Sequence, residues 1–178
     1  SGPGGLSLGF REAGFALTLA VEKDKNAAET YKNNFPSVSL IRDDVSNLRL
    51  GSFIGRIKNN KTVIVGGPPC QPFSKANQQN GGSHHPYASC VDYYAQLVGN
   101  IKPVAFVFEN VPTFMSIDEG RSFSGFIEYF EEQGYKTAHI VLDAKDFGVP
   151  QVRKRLFVVG LRSCKKEFSL KEAIAPYR

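Results

Sequence analysis

The chain has 178 residues, 42% hydrophobic and 22% charged, a composition that fits one globular domain and excludes intrinsic disorder and collagen. Three cysteines, an odd number without framework spacing, exclude a disulfide scaffold and point to a reducing compartment, and no run reaches the ~18 apolar residues of a membrane span. Net charge is +5, and from residue 153 onward eight Lys/Arg stand against two Asp/Glu, so the basic surplus is C-terminal; it suits a polyanion held from one end, or simply a solvated basic surface.

Ser1-Gly2-Pro3-Gly4-Gly5 is a glycine-rich turn leading into a helix expected over residues 6–13. Glycines at 2, 4 and 5 let the backbone pass close to a ligand at the helix N-terminus. Ser7 replaces the third glycine of a dinucleotide fingerprint, so a plain turn stays open beside a cofactor turn. The sequence has neither a strand feeding this turn, nor a signal peptide, nor an initiator methionine. The expectation is a chain that starts inside a longer natural sequence, or one whose missing strand a partner chain supplies.

Short runs rich in Val, Ile and Phe then alternate with amphipathic stretches, the rhythm of an α/β fold with a mostly parallel, doubly wound sheet. Strands are predicted at 15–22, 38–42, 62–65, 104–108, 137–142 and 156–161. Helices are predicted at 25–34, 48–58, 88–101, 121–133 and 170–175. Gly14 and Gly134 stand where helix C-caps belong, and Ser169 is placed to N-cap the last helix. Glu22 ends the first strand, with Lys23 next, and Asp43-Asp44-Val45 closes the second. Both acids fall at the C-terminal edge, where open α/β sheets bind ligands, and a ribose-binding acid and an exposed strand-end acid are both open readings of Glu22.

Gly66-Gly67-Pro68-Pro69-Cys70-Gln71-Pro72-Phe73-Ser74 carries the strongest local signal. Two prolines fix φ and remove donors, so the chain presents Cys70 rigidly at the strand edge as a candidate nucleophile. Cys90 and Cys164, in contrast, suit the ordinary role of small hydrophobes. No second cysteine stands at ligand spacing, and His84-His85 are adjacent in a glycine-rich stretch, which argues against a metal site. The segment 75–87, rich in Gly, Asn and Gln, reads as a mobile loop or an inert surface loop.

The apolar strand 104–108 runs into Glu109-Asn110-Val111-Pro112, which puts Glu109 at the same edge with a partly desolvated carboxyl of raised pKa. Pro150-Gln151-Val152-Arg153-Lys154-Arg155 precedes the last strand. Period-2 alternation puts Gln151, Arg153 and Arg155 on one side, as an anion clamp or a basic surface edge.

In this order the segments resemble the DNA (cytosine-5) methyltransferases, over essentially all 178 residues: the glycine turn, Glu22, Asp44, Pro69-Cys70-Gln71, Glu109-Asn110-Val111 and Gln151-Val152-Arg153-Lys154-Arg155. The resemblance implies S-adenosylmethionine as methyl donor, bound by Gly2, Pro3, Gly4, Gly5, Glu22 on the ribose, Lys23, Asp44 near the adenine, Val45 and Pro69. It implies Cys70 as nucleophile, Glu109 at cytosine N3, Arg153 and Arg155 holding the base and Glu109, and Gln71, Ser74, Asn110 and Gln151 on the substrate side. The substrate implied is a cytosine flipped out of double-stranded DNA. RNA as substrate and a catalytically silent binding module are the alternatives; the intact Cys70, Glu109 and arginine set argues against silence. Family members usually carry a strand before the glycine turn, and a target-recognition region and closing motifs after the arginines. None is present here, so the chain is expected to be an incomplete catalytic domain, natively part of a longer chain or completed by a second one. The implied location is cytoplasmic for a bacterial or phage restriction-modification enzyme, nuclear for a eukaryotic one.

Overall fold

The computed structural model describes residues 1–48, 61–73, 89–164 and 166–177, in two units, Ser1–Arg49 and Leu50–Arg178. The expected helix at 48–58, apart from Leu48, lies outside the described residues, as do Ser74, the segment 75–87 and its two histidines.

The first unit contains α1 (Gly5–Glu12), β1 (Leu19–Val21), α2 (Lys25–Asn34) and β2 (Ser39–Ile41), with β1 and β2 paired in parallel. Asp24 starts α2 by accepting the Ala27 N–H at 2.8 Å, satisfying one of the orphan donors of the first turn. The helix covers the strand pair with Tyr31, which is buried with Phe35, Val38 and Ala20. β1 is shorter than predicted because only three residues find partners on β2. Phe15 instead turns edge-on to Phe10 of α1, ring centroids 5.1 Å apart, and stays half exposed. Gly14 adopts φ +88 just past α1, the left-handed cap expected there.

The second unit runs β3 (Val63–Gly66), α3 (Cys90–Ile101), β4 (Ala105–Asn110), a kinked 3-10 segment (Pro112–Gly120), α4 (Arg121–Glu132), β5 (Tyr135–Asp143), a 3-10 turn (Ala144–Phe147), β6 (Lys154–Arg162) and α5 (Leu170–Ile174). Its sheet has the order β3-β4-β6-β5. β3 and β4 are parallel, with α3 between them in sequence, whereas β6 runs antiparallel to both β4 and β5. The sheet is therefore mixed where a mostly parallel one was expected. The link from β5 to β6 holds only a short 3-10 turn, and a parallel crossover needs a dozen or more residues, usually with a helix.

The core of this unit is aromatic. Phe106, Phe108, Phe114, Phe126 and Phe130 are fully buried, with Phe106 against Phe130 at 4.1 Å and Phe108 against Phe126 at 4.5 Å between centroids. The alternating burial of β4 sends Phe106 and Phe108 to one face, against α4. A Cβ at Gly160 of β6 would collide with the Phe106 ring, so that position has no room for a side chain. Ser89 and Asp92 form a reciprocal capping box at the start of α3.

Candidate active site

In the first unit hydrogen bonds tie Glu22 to the glycine turn and Asp44 to Lys23 and Ser46. Glu22 leaves β1 with Oε2 accepting the Gly2 N–H at 2.6 Å and the Ser1 nitrogen at 2.9 Å, while Oε1 accepts the Asp24 N–H at 2.9 Å. Burial raises the carboxyl pKa, but hydrogen bonds led by the Asp24 N–H, with the Gly2 N–H, outweigh it and hold Glu22 below its ordinary value. Asp44, after β2, accepts the N–H and hydroxyl of Ser46 at 3.0 and 2.9 Å and pairs with the Lys23 ammonium at 3.1 Å. The Ser46 N–H, acting against burial and helped by Lys23, holds Asp44 below its ordinary value. Val45 begins the turn that Asp44 caps.

At the glycine turn Gly4 is the N-cap of α1 in the left-handed region, φ +106, and offers no side-chain cap to the first-turn donors. A Cβ there would strike the Phe35 ring, whereas one at Gly5 would meet nothing within 4 Å. The first-turn donors of α1 thus have no side-chain cap from Gly4, and Pro3 is fixed through its carbonyl by Asn34 Nδ2 at 3.0 Å. A helix N-terminus of this kind favours a carboxylate or phosphate.

In the second unit β3 and β4 end side by side, Gly66 opposite Phe108, so that the chain leaving β3 runs past Glu109. A Cβ on Gly67 would lie 2.6 Å from Glu109 Oε2. The loop carrying Cys70 is fastened at three points. Asn110 Nδ2 donates to the Pro68 carbonyl at 3.1 Å, Gln71 Oε1 accepts the Cys90 N–H at 2.9 Å, and Phe73 is buried edge-on to Phe126, centroids 5.5 Å apart. Between the first two fixings Pro69 and Cys70 are exposed. Such burial as Cys70 has pushes its thiol above the ordinary value.

Asn110 and Gln71, implied as substrate contacts, therefore hold the cysteine loop in this structure. Asn110 is buried, and its Oδ1 accepts the Val111 N–H at 2.9 Å, so the whole amide is engaged with backbone.

Arg155 Nε donates to Glu109 Oε1 at 2.9 Å, and its Nη1 donates to the Lys154 carbonyl at 2.8 Å. Glu109 faces Phe157 across β4 and β6, so Arg155 reaches it on the diagonal, two residues along. The two side chains are about one-fifth exposed, 21% for Glu109 and 23% for Arg155. Arg153 and Gln151 precede β6, which starts at Lys154, so strand alternation does not govern them as the sequence suggested. Both are exposed; Arg153 is fixed by its backbone, its N–H on Asp143 Oδ1 and its carbonyl accepting from Ala144.

Gly67, quoted only as part of the cysteine segment, and Asp143 were assigned no site role from the sequence. Asp143 ends an apolar strand just as Glu22, Asp44 and Glu109 do, and that shared position was the available signal. Gly67 had none, since only the strand register brings it to Glu109.

The model of the C-5 cytosine-specific DNA methylase family matches residues 1–177. The chain belongs to this family. Among curated methylases it is 37% identical over 162 residues to Type II methyltransferase M1.HphI of Haemophilus parahaemolyticus, covering 90% of this chain and 44% of that one. It is 34% identical over 173 residues to Type II methyltransferase M.AquIA of Picosynechococcus sp., covering 91% and 69%. A solved E. coli protein, described as a DNA modification methyltransferase encoded within a prophage, superposes with a TM-score of 0.76 at 34% identity, covering 97% of this chain and 47% of that one. The chain thus spans less than half the length of M1.HphI and of the prophage methylase. Membership of the C-5 methylases implies S-adenosylmethionine as cofactor. The open head of α1 fits its carboxylate, and the acceptor capacity left on Glu22 Oε1 fits one of its hydroxyls.

Proposed function

We propose that this chain is the catalytic domain of a DNA cytosine-5 methyltransferase that adds Cys70 to C6 of a flipped-out cytosine and methylates C5. The observation that carries the reading is the Glu109 carboxylate, held by Arg155 at 2.9 Å beside the loop that presents Cys70. Cytosine C5 is a poor nucleophile, and attack of the Cys70 thiolate at C6 moves ring electron density onto C5. Hydrogen bonding or protonation at N3 by Glu109 favours that attack, with Arg155 orienting the carboxyl. Cys70 carries a raised thiol pKa in the chain alone. Loss of the C5 proton with breakage of the C6–S bond then restores the aromatic ring and frees the enzyme.

S-adenosylmethionine, when bound, supplies an electrophilic sulfonium methyl group. For it, Glu22 takes a ribose hydroxyl, Gly2 to Gly5 with Pro3 keep the backbone open at the head of α1, and Asp44, Lys23 and Val45 border the adenine. In the second unit, exposed Pro69 is the cofactor contact that the family resemblance implies. Exposed Arg153 and Gln151 would meet the DNA, Ser74 is the further substrate contact that the resemblance implies, and the basic C-terminal stretch adds backbone attraction. Choice of target sequence belongs to segments beyond the matched length, on the same protein or on a second chain, as the two- to threefold greater length of several relatives supports. The bacterial Type II relatives favour a restriction-modification setting in the cytoplasm.

Duplex DNA containing 5-fluorocytosine tests the mechanism, because fluorine at C5 blocks the elimination that releases the enzyme. The full protein with S-adenosylmethionine is expected to form a denaturation-resistant adduct that Cys70→Ser abolishes. Trapping by the Cys70→Ser protein refutes the nucleophile, and trapping on RNA but not on DNA refutes the substrate.

A further inference from the structure

The link between β5 and β6 carries one feature that the chemistry above leaves unused. Asp143, the last residue of β5, is buried, and among the described residues its Oδ2 has no hydrogen-bond partner, with Lys145 Nζ standing 3.9 Å away. Its Oδ1 accepts the Arg153 N–H at 3.0 Å and, at 3.5 Å, the Lys145 N–H of the 3-10 turn that Asp143 caps. The neighbouring Ala144 N–H donates to the Arg153 carbonyl at 3.0 Å. Both polar groups of the Arg153 backbone are therefore gripped by two consecutive residues.

This grip sits where β6 begins. Asp143 faces Lys154 as the terminal pair of the β5–β6 ladder, and Arg155 follows one residue later, facing Leu142. Which way Arg155 points depends on that register, because side chains alternate and a slip of one residue turns each to the opposite face. The ladders with β4 and β5 fix β6 from Lys154 onward, and just before they begin the chain is held at Arg153 by Asp143 and Ala144.

We propose that Asp143 is a positioning residue: its carboxylate oxygen locks the start of β6 and thereby holds the Arg155 guanidinium on Glu109. The inference rests on the proposed function for its catalytic consequence, but not for its structural one. Asp143→Ala leaves the Arg153 N–H without that acceptor and lets the start of β6, where Arg155 stands, fray from the ladder. Asp143→Asn keeps the Oδ1 acceptor and puts an amide where Oδ2 has no partner, so it retains the lock.

Two readouts on the full protein separate the possibilities. NMR of the Arg155 Nε–H reports the ion pair whether or not the protein methylates anything. Its slow exchange with water is expected to be lost in Asp143→Ala and kept in Asp143→Asn. In methyl transfer, Asp143→Ala is expected to lower kcat by about 10- to 100-fold, as misplacement of a catalytic group by about an ångström does, with KM for S-adenosylmethionine unchanged. Asp143→Asn is expected to restore kcat. A protected Arg155 Nε–H in folded Asp143→Ala overturns the inference, as does its loss in folded Asp143→Asn, which stays informative if the alanine variant fails to fold. A wild-type protein with the Nε–H response but no methyl transfer leaves the lock standing and sinks the proposed function instead.

Discussion

Gly67→Ala is a one-atom test of Glu109. The added Cβ would lie 2.6 Å from Glu109 Oε2, and an ordinary contact begins at 3.4 Å, so the carboxylate must retreat by about 0.8 Å. The backbone at Gly67 is outside the left-handed region, so alanine brings no conformational strain of its own. What it meets is the far end of a side chain, with β4 behind it unchanged. The other oxygen, Oε1, is bound to Arg155 Nε at 2.9 Å, and a retreat of that size breaks either this bond or the reach toward the base. A displacement near 1 Å at a catalytic group costs up to about 100-fold in rate, or about 2.7 kcal/mol of transition-state stabilisation. The assay is steady-state transfer of labelled methyl groups to DNA, with thermal melting of the same samples. The expected outcome is a 10- to 100-fold fall in kcat, on the order the displacement implies, with an unchanged melting temperature and cofactor affinity. A Gly67→Ala protein with wild-type kcat would refute the placement of Glu109 in the reaction.

Two further outcomes follow from the titrating groups. Because burial raises the Cys70 thiol, alkylation of Cys70 by iodoacetamide, followed by mass spectrometry of its peptide, is expected to accelerate through pH 9 without levelling off; a plateau below pH 8 would show an activated thiolate in the free protein. The Asp24 and Gly2 N–H groups depress Glu22 below its ordinary 4.5, so its contribution to the stability of the first unit is fully present above pH 4.5 and is lost as pH falls through the lowered value. Glu22→Gln is expected to flatten acid unfolding of that unit across this window and to weaken S-adenosylmethionine binding by calorimetry; an unchanged acid profile would count against the Gly2 and Asp24 hydrogen bonds to the carboxylate.

Much of this was legible in one dimension because it depends on neighbours in sequence. The α2 boundaries follow from Asp24 and its cap, the ends of α1 and α4 from Gly14 and Gly134, and the start of α5 from Ser169, whose Oγ accepts the Glu172 N–H at 3.3 Å. Family membership was carried by motif order along the chain, which needs no geometry. The mixed sheet was not written there, since apolar runs of the same composition serve parallel and antiparallel strands alike, and direction is set by what connects them. Nor could period-2 alternation be extended to Gln151 and Arg153, because the ladder that enforces it begins only at Lys154. Asn110 and Gln71 carry the same amide in sequence; their hydrogen bonds to the Pro68 carbonyl and the Cys90 N–H arise from residues 42 and 19 positions away. The sequence by itself determined which chemical groups end each strand. Tertiary structure decided which of them meet, because the contacts of Gly67 with Glu109, Arg155 with Glu109 and Asp143 with Arg153 depend on strand register, a long-range quantity that local propensity does not encode.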